Sequence, residues 1–244
     1  MLHDYFNRLI VIDIETAGEC ESLDHVINEK GPHKAELWSK RSVWLRNRYP
    51  ENAQMTDEEL YIDKAALHAE FGKIICISIA QIKNDGESVV IKSYSGHDEK
   101  ALLTDFLKLN ANILGKIPGA MYCGHNIKRF DVPFIAKRLA ANGLPIPSNF
   151  QIFKMKNWEI PFMDTGDIWS FGAWQESFAS LDLICECLGV PTPKDKMEGK
   201  DVNKAYYDGR LDEITEYCEK DVEATCRVIL KLSHIDTNPF VDKK

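Results

Sequence analysis

An apolar run with two acids near its end, at residues 9–16, constrains this chain more than any other feature. Its sequence, Leu-Ile-Val-Ile-Asp-Ile-Glu-Thr, is rich in β-branched side chains and predicts a buried central strand. Side chains alternate between the two faces of a strand, so Asp13 and Glu15 share one face. Neighbouring carboxylates in an apolar strand repel each other and lose hydration, and a cation between them relieves both costs. The strand therefore suggests a divalent-metal site, with a solvated acidic pair as the alternative.

Composition is that of a globular protein with no membrane segment. The 244 residues are 44% hydrophobic and 10% aromatic, enough for a substantial core in one large domain. No apolar run is long enough to span a bilayer, so we expect no membrane association. The seven scattered cysteines suit reduced thiols and predict a cytoplasmic location. The net charge of −8 argues against a general nucleic-acid coat, although a local basic surface remains compatible with it.

The order of predicted elements indicates an α/β fold with a mixed sheet flanked by helices. We expect a single domain over residues 1–235, a helical insertion at about 17–70 and a frayed tail at 236–244. Between them the patterns predict a hairpin at 73–94, helices at 98–109, 130–142, 180–188 and 211–232, short strands at 120–123 and 162–165, and a polar loop at 193–204. A capping box from Thr56 to Glu59 starts a helix inside the insertion.

Two more acids stand where the chain changes element. Asp131 lies at the junction of a short strand and a helix, and ligands gather outside strand ends in open α/β sheets. Tyr217 and Asp221 are four residues apart on the last helix and share a face. Taken singly, Asp131 reads as a helix cap and the Tyr217/Asp221 pair as surface. Their value lies in the combination with the first strand.

The ordered set Asp13-x-Glu15, Asn126-x-x-x-Phe130-Asp131 and Tyr217-x-x-x-Asp221 resembles the DEDD superfamily of 3′–5′ exonucleases, which have a ribonuclease H-like fold. Because it contains Tyr217, the set resembles the DEDDy branch, which includes the proofreading domains of DNA polymerases. The histidine branch would have His at the position of Glu216. The segments 180–193 and 216–222 resemble stand-alone exonucleases related to the exonuclease domain of family B DNA polymerases.

The resemblance implies hydrolysis of the terminal phosphodiester at a 3′ end, with release of nucleoside monophosphates. It implies two divalent cations, Mg²⁺ or Mn²⁺, which prefer hard oxygen ligands. Asp13 would bridge both ions, Glu15 and Asp221 would complete the water-activating site, and Asp131 would hold the second ion. Tyr217 would orient the attacking water. We expect these five residues to be catalytic and the four acids to be the metal ligands.

Substrate contacts follow from the same resemblance. Thr16, Asn126 and Phe130 are expected to contact the terminal nucleotide. Lys128 and Arg129 are candidates for phosphate contacts, with solvated surface as the alternative.

Aromatic side chains give two further nucleic-acid candidates. One group follows the presumed edge strand and can stack unpaired bases or fill the core: Phe171, Trp174 and Phe178. The other lies in the insertion and joins aromatic rings with cations, with a solvated helix face as the alternative: Trp38, Lys40, Arg41, Trp44, Arg46 and Arg48.

We expect single-stranded DNA or frayed 3′ ends as the substrate. Two alternatives remain open: an exoribonuclease or oligoribonuclease, and a non-catalytic ribonuclease H-like module that binds nucleic acid. A complete acid set argues against the non-catalytic reading. The expected partner is nucleic acid, and a separate replication or repair protein can recruit the chain to it.

Overall fold

A computed structural model describes residues 2–153, 155–156, 159–173, 179–193, 197–235 and 238–244. Its centre is a six-stranded mixed sheet in the order β5-β4-β1-β2-β3-β6. The strands are β1 Leu9–Gly18, β2 Gly72–Lys83, β3 Ser88–Ser95, β4 Met121–Gly124, β5 Phe162–Asp164 and β6 Phe240–Lys243. β1 pairs antiparallel with β2 and parallel with β4, so the predicted central strand and hairpin are confirmed.

Helices cover both faces of this sheet or form the insertion. They are α1 Leu23–Lys30, α2 Pro32–Arg48, α3 Asp57–Lys64, α4 Glu99–Lys116, α5 Asp131–Ala141, α6 Thr165–Ser170, α7 Leu181–Leu188, α8 Val202–Tyr207 and α9 Leu211–Leu232. The architecture is the predicted ribonuclease H-like α/β fold with a helical insertion after the first strand. Among the described helices, none has the length and apolar character needed to cross a membrane.

The alternation of β1 explains why it lies in the middle of the sheet. Ile10, Ile12 and Ile14 point into one apolar cluster, together with residues of α4 and α5. Leu9 and Val11 point into the opposite cluster, which α9 covers. Because both faces are apolar, burying both is the favourable solution. Asp13 and Glu15 continue the face of Leu9 and Val11, so they lie beneath α9.

The insertion has its own small core. α3 begins with the predicted capping box, in which Thr56 and Glu59 each accept a hydrogen bond from the other's backbone amide. Trp38 of α2 is fully buried there, edge-on to Tyr61 and Phe71. This packing makes residues 19–71 a separate layer that leaves and rejoins the sheet at neighbouring strand ends, Gly18 and Gly72.

An ion-pair cluster joins the insertion to the sheet layer. The Arg138 guanidinium of α5 donates to both carboxylate oxygens of Glu99, at 2.9 and 2.6 Å, and to Glu19 at 3.0 Å. Glu99 also accepts the Ile74 amide of β2 at 2.7 Å. Lys34 of α2 contacts Glu19 at 3.1 Å. Two acids and two cations therefore balance each other where α2, α4, α5 and β2 meet.

Three predictions of element placement were wrong. The tail is not frayed: Phe240–Lys243 forms β6, which pairs in parallel with the open edge of β3. The segment 193–204 is not a loop throughout, because Val202 starts α8 and Val202, Ala205 and Tyr206 are buried against Ile75. Helix α4 runs to Lys116 instead of ending at residue 109. In each case the deciding contact comes from a residue distant in sequence.

Candidate active site

The site is built where α9 crosses the acidic end of β1. The ligand atoms of Asp13, Glu15 and Cys218 all lie within 4.8 Å of one another. The thiol of Cys218 donates to the Asp13 carboxylate, with Sγ 3.3 Å from Oδ2. Glu15 is 8% exposed and has little water around its carboxylate, whereas Asp13 is partly exposed.

Asp131 follows the loop that leaves β4, the other neighbour of β1 in the sheet. It is the first residue of α5 and is buried, and its Oδ1 accepts the backbone N–H of Ile14 at 3.1 Å. Ile14 lies between Asp13 and Glu15, so this bond holds Asp131 against the acidic end of β1. The close approach depends on Gly124 at the end of β4, where a Cβ atom would lie 2.8 Å from the carbonyl oxygen of Ile12. A larger residue at 124 would push the Asp131 loop away.

Mutual repulsion marks the carboxyl groups as one cluster. Burial, followed by the charges of Asp221 and Asp131, raises the pKa of Asp13 well above its usual value. Burial, followed by Asp13 and Asp221, does the same to the pKa of Glu15. Burial is also the main reason that the pKa of Asp131 rises to about 7, with Asp164 and Asp221 adding to it. The predicted acids are thus brought together from β1, α5 and α9.

Among the residues that the structure describes, the acids that β1 and α5 bring to this cluster have no basic partner. In the described part of the chain, no Lys or Arg forms a salt bridge or hydrogen bond with Asp13, Glu15 or Asp131. Carboxylate oxygens that are close together, poorly hydrated and unneutralised are the donor set that a divalent cation such as Mg²⁺ or Mn²⁺ fits. The cluster can therefore hold metal.

Tyr217 faces the same cluster. It is 7% exposed, and burial followed by the charges of Asp221, Glu15 and Asp13 raises its pKa. Its side chain is hydrogen-bonded to Asp221, one helical turn further along α9. At neutral pH the phenol keeps its proton, so Tyr217 is a hydrogen-bond donor in this environment.

Two residues of the site were missed in the sequence. Cys218 follows Tyr217 and precedes Asp221 by three positions, a helical spacing that would have placed it beside the acids. Asp164 ends β5 and accepts the amides of Asn126 at 3.0 Å and Lys128 at 3.3 Å. Its position after an apolar strand was the available signal. Asp164 fixes the loop that leads into Asp131.

The expected substrate contacts have mixed surroundings. Thr16 donates its hydroxyl proton to the Ala66 carbonyl at 2.8 Å. Asn126 is partly exposed in the left-handed region, with φ 61°, and Phe130 packs against Phe134 with ring centroids 5.4 Å apart. Lys128 forms a salt bridge with Asp167 at 2.9 Å.

The aromatic candidates divide in the same way. Arg129, in the loop before α5, is exposed. Among the aromatic candidates, Phe171 is 83% exposed at the end of α6 and is therefore available to a ligand. Trp174 and Phe178 lie outside the described residues. In α2 the expectation was wrong for two side chains. Trp38 is core, and Arg46 is tied to Asp57 by a 2.6 Å salt bridge.

Comparisons with known proteins agree with this geometry. A family model described as a predicted 3′–5′ exonuclease related to the exonuclease domain of PolB matches residues 65–240. The family B DNA polymerase from the hyperthermophilic archaeon Pyrobaculum calidifontis has a similar fold, with a TM-score of 0.56 and 14% sequence identity. The similarity covers 93% of this chain and 24% of the polymerase, so the chain spans about a quarter of that protein. No curated protein sequence matches the chain.

Proposed function

The chain belongs to the family of predicted 3′–5′ exonucleases related to the exonuclease domain of PolB, and from this premise we propose a specific reaction. The chain hydrolyses the terminal phosphodiester of single-stranded DNA or of a frayed 3′ end and releases nucleoside monophosphates. The observation that carries the proposal is the meeting of Asp13, Glu15 and Asp131 in one cluster, in which no described Lys or Arg pairs with these three acids. With Tyr217 and Asp221 from α9, the set is that of the DEDDy branch.

Two divalent cations, Mg²⁺ or Mn²⁺, are the proposed cofactors. Asp13, which is electrostatically coupled to the other acids, would help to hold both ions, together with Glu15 and Asp221 for one and Asp131 for the other. When bound, such ions make a water molecule more acidic and neutralise charge on the leaving oxygen. The chain supplies the oxygen donors and a poorly hydrated floor, in which electrostatic interactions are stronger than in bulk water.

Tyr217 is proposed to orient the attacking water. Because its pKa is raised, the phenol donates a hydrogen bond and does not act as a general base at neutral pH. Its one proton is directed at Asp221, so the hydroxyl oxygen is the acceptor that would orient the water. Removing the hydroxyl with Tyr217→Phe should slow turnover by roughly 10- to 100-fold, because orientation is lost while the charges that hold metal stay. Single-turnover rates and Mn²⁺ affinity, measured on the same sample, separate these two effects.

The terminal nucleotide is proposed to lie against the loop that precedes α5. Asn126 presents a partly exposed amide there, and Phe130 presents part of its ring. Thr16 follows Glu15 and, because its proton is donated to Ala66, offers its hydroxyl oxygen as an acceptor. These three side chains would position the 3′ nucleotide over the acids. Ala substitutions at Asn126 and Phe130 should raise the KM for a short oligonucleotide, and unchanged KM values would remove them from the binding site.

The decisive experiment follows the products from labelled ends. Single-stranded DNA and RNA of one sequence, labelled at the 5′ end, are incubated with Mg²⁺, Mn²⁺ or EDTA. We expect a ladder that shortens stepwise from the 3′ end of the DNA, and none in EDTA. Faster shortening of the RNA would favour the exoribonuclease alternative. Full-length substrate with every metal would refute a nuclease function and leave the non-catalytic module.

A cytoplasmic location is part of the same proposal. All seven cysteines are free thiols, and six of them are buried. Proteins with many unpaired cysteines suit a reducing compartment. Recovery of the native protein in a secreted or periplasmic fraction would contradict this location.

A further inference from the structure

Helix α2 of the insertion has two faces of opposite character. One face is buried in the insertion core and carries Ala35, Trp38, Ser42 and Leu45. The other faces solvent and carries three cations and two rings that none of the core contacts use. We call these residues the α2 outer face: Lys40, Arg41, Trp44, Arg48 and Tyr49.

The rings and cations of the α2 outer face form a continuous row. The Arg41 guanidinium lies 5.4 Å from the centre of the Trp44 ring. Trp44 meets Tyr49 edge-on with ring centroids 6.0 Å apart, and Arg48 lies 5.9 Å from the centre of the Tyr49 ring. Trp44 is nevertheless 47% exposed and Tyr49 41% exposed. Two large aromatic side chains therefore present ring surface to solvent beside cations.

The charge of α2 is opposite to that of the chain. The helix contains five Lys or Arg residues and one Glu, a charge of +4 in a protein whose net charge is −8. Arg46 and Lys34 are engaged by Asp57 and Glu19. Throughout the described ranges, by contrast, Lys40, Arg41 and Arg48 form no salt bridge. These three cations are available to an external anion.

The insertion is attached at the acidic end of β1. It begins after Gly18, three residues beyond Glu15, and Thr16 is hydrogen-bonded to Ala66 near its end. A strand whose 3′ terminus lies over Asp13 can therefore extend its preceding nucleotides over the insertion. We propose that the α2 outer face binds single-stranded nucleic acid upstream of the 3′ terminus, an inference that rests on the proposed exonuclease function. Bases would stack on Trp44 and Tyr49, and phosphates would meet the three cations.

Nucleic acid fits this surface better than a protein partner does. Exposed rings flanked by cations that form no salt bridge with a described residue match the alternating bases and phosphates of a single strand. The phosphates of a polyanionic strand also supply counter-charges for Lys40, Arg41 and Arg48. A protein partner is the competing occupant of this surface. The oligonucleotide-binding measurement below distinguishes the two occupants.

The binding test uses fluorescent oligothymidylate of 20 nucleotides in EDTA, so that binding is measured without cleavage. Trp44→Ala/Tyr49→Ala should raise the Kd by roughly 30-fold or more, because each ring supports a stacked base. Arg41→Gln/Arg48→Gln should lower the slope of log K against log salt by about 1.4, or about 0.7 for each lost phosphate contact. The matched control Lys100→Gln/Lys116→Gln, on exposed positions of α4, should change neither value. Thermal unfolding checks that all variants are folded. Unchanged binding by both α2 variants would overturn the proposal.

A length test separates this inference from the proposed function. With Mg²⁺, Trp44→Ala/Tyr49→Ala should raise the KM for the 20-mer by roughly tenfold and leave cleavage of a tetranucleotide unchanged, because the short strand does not reach α2. Equal losses on both lengths would contradict an upstream site. If wild-type protein cleaves neither strand but binds the 20-mer through Trp44, the proposed function fails and the binding surface stands. If it cleaves both and its binding ignores Trp44, only the binding surface fails.

Discussion

Two clusters of acids lie near the end of β1, and their neighbours differ in charge. Around Arg138, the carboxylates of Glu99 and Glu19 accept hydrogen bonds of 2.6 to 3.0 Å from one guanidinium. Around Asp13, the neighbours are further acids and a thiol. The first cluster is complete within the chain. In the second, Asp13, Glu15 and Asp131 have no such basic partner among the described residues, and the proposed metal site rests on this difference.

The ionisation of the two clusters reflects the same contrast. Burial alone would lower the pKa of Arg138, but its hydrogen bonds to Glu99 and the charges of Glu99 and Glu19 raise it overall. Burial raises the pKa values of Asp13 and Glu15, and their acidic neighbours raise them further. Charge is stabilised at Arg138 and penalised at Asp13. A fold that keeps penalised charges in a cleft does so at a cost in stability, which is common at functional sites.

The largest expected effect is on catalysis. Asp13→Asn keeps the shape of the side chain and removes one charge from the ion-binding cluster. Cleavage of a 5′-labelled strand in Mg²⁺ should fall by roughly 10³-fold, because metal ions supply several kcal/mol of transition-state stabilisation. Glu99→Gln neutralises a buried acid of the other cluster and should retain the wild-type rate per folded molecule. Equal rates for Asp13→Asn and wild type would place the chemistry elsewhere.

The next effect concerns stability at the paired cluster. Arg138→Met leaves Glu99 without its cation and Glu19 with Lys34 alone, and we expect a loss of about 3–5 kcal/mol in the free energy of unfolding. Urea unfolding followed by circular dichroism measures it. In Arg138→Met/Glu99→Gln the buried charge of residue 99 is also removed, so the double variant should be more stable than Arg138→Met alone. If the double variant has a lower free energy of unfolding than Arg138→Met, the acids and cations of this cluster do not balance each other as described above.

The smallest effect should have the opposite sign. In EDTA, Asp13→Asn relieves repulsion with Asp221 and Asp131, so the variant should be more stable than wild type by about 1 kcal/mol. Thermal unfolding with and without Mg²⁺ gives the comparison. Wild type should gain stability from Mg²⁺ and the variant should gain less. A destabilised Asp13→Asn in EDTA would mean that the acids are not under mutual strain.

Local signals in the sequence were sufficient for the elements that carry the site. β1 was predicted from its run of apolar, β-branched residues, and α9 was predicted at its observed bounds because apolar residues recur at helical spacing from Leu211 to Leu232. These two elements depend on residues within one turn or one strand, which a sequence shows directly. Asp13, Glu15 and Asp131 were assigned together because the ordered set of motifs resembles that of the DEDD exonucleases.

Other features depend on distant partners and were not visible. Trp38 looked like part of a basic surface, and only the packing of Tyr61 and Phe71 shows that it faces inward. The pairing of Arg138 with Glu99 joins α5 to the start of α4, and no sequence pattern in either segment predicts it. β6 exists because β3 offers an unpaired edge. Each of these required the three-dimensional arrangement.

Direct titration of Mn²⁺ tests the central claim, that the unneutralised acids are the ion-binding site. Calorimetry at neutral pH compares wild type, Asp13→Asn and Glu99→Gln, each below its unfolding temperature. We predict that Mn²⁺ binds wild type and Glu99→Gln with similar affinity and binds Asp13→Asn at least about tenfold more weakly, because one carboxylate ligand is gone. Equal affinity of wild type and Asp13→Asn would contradict the account.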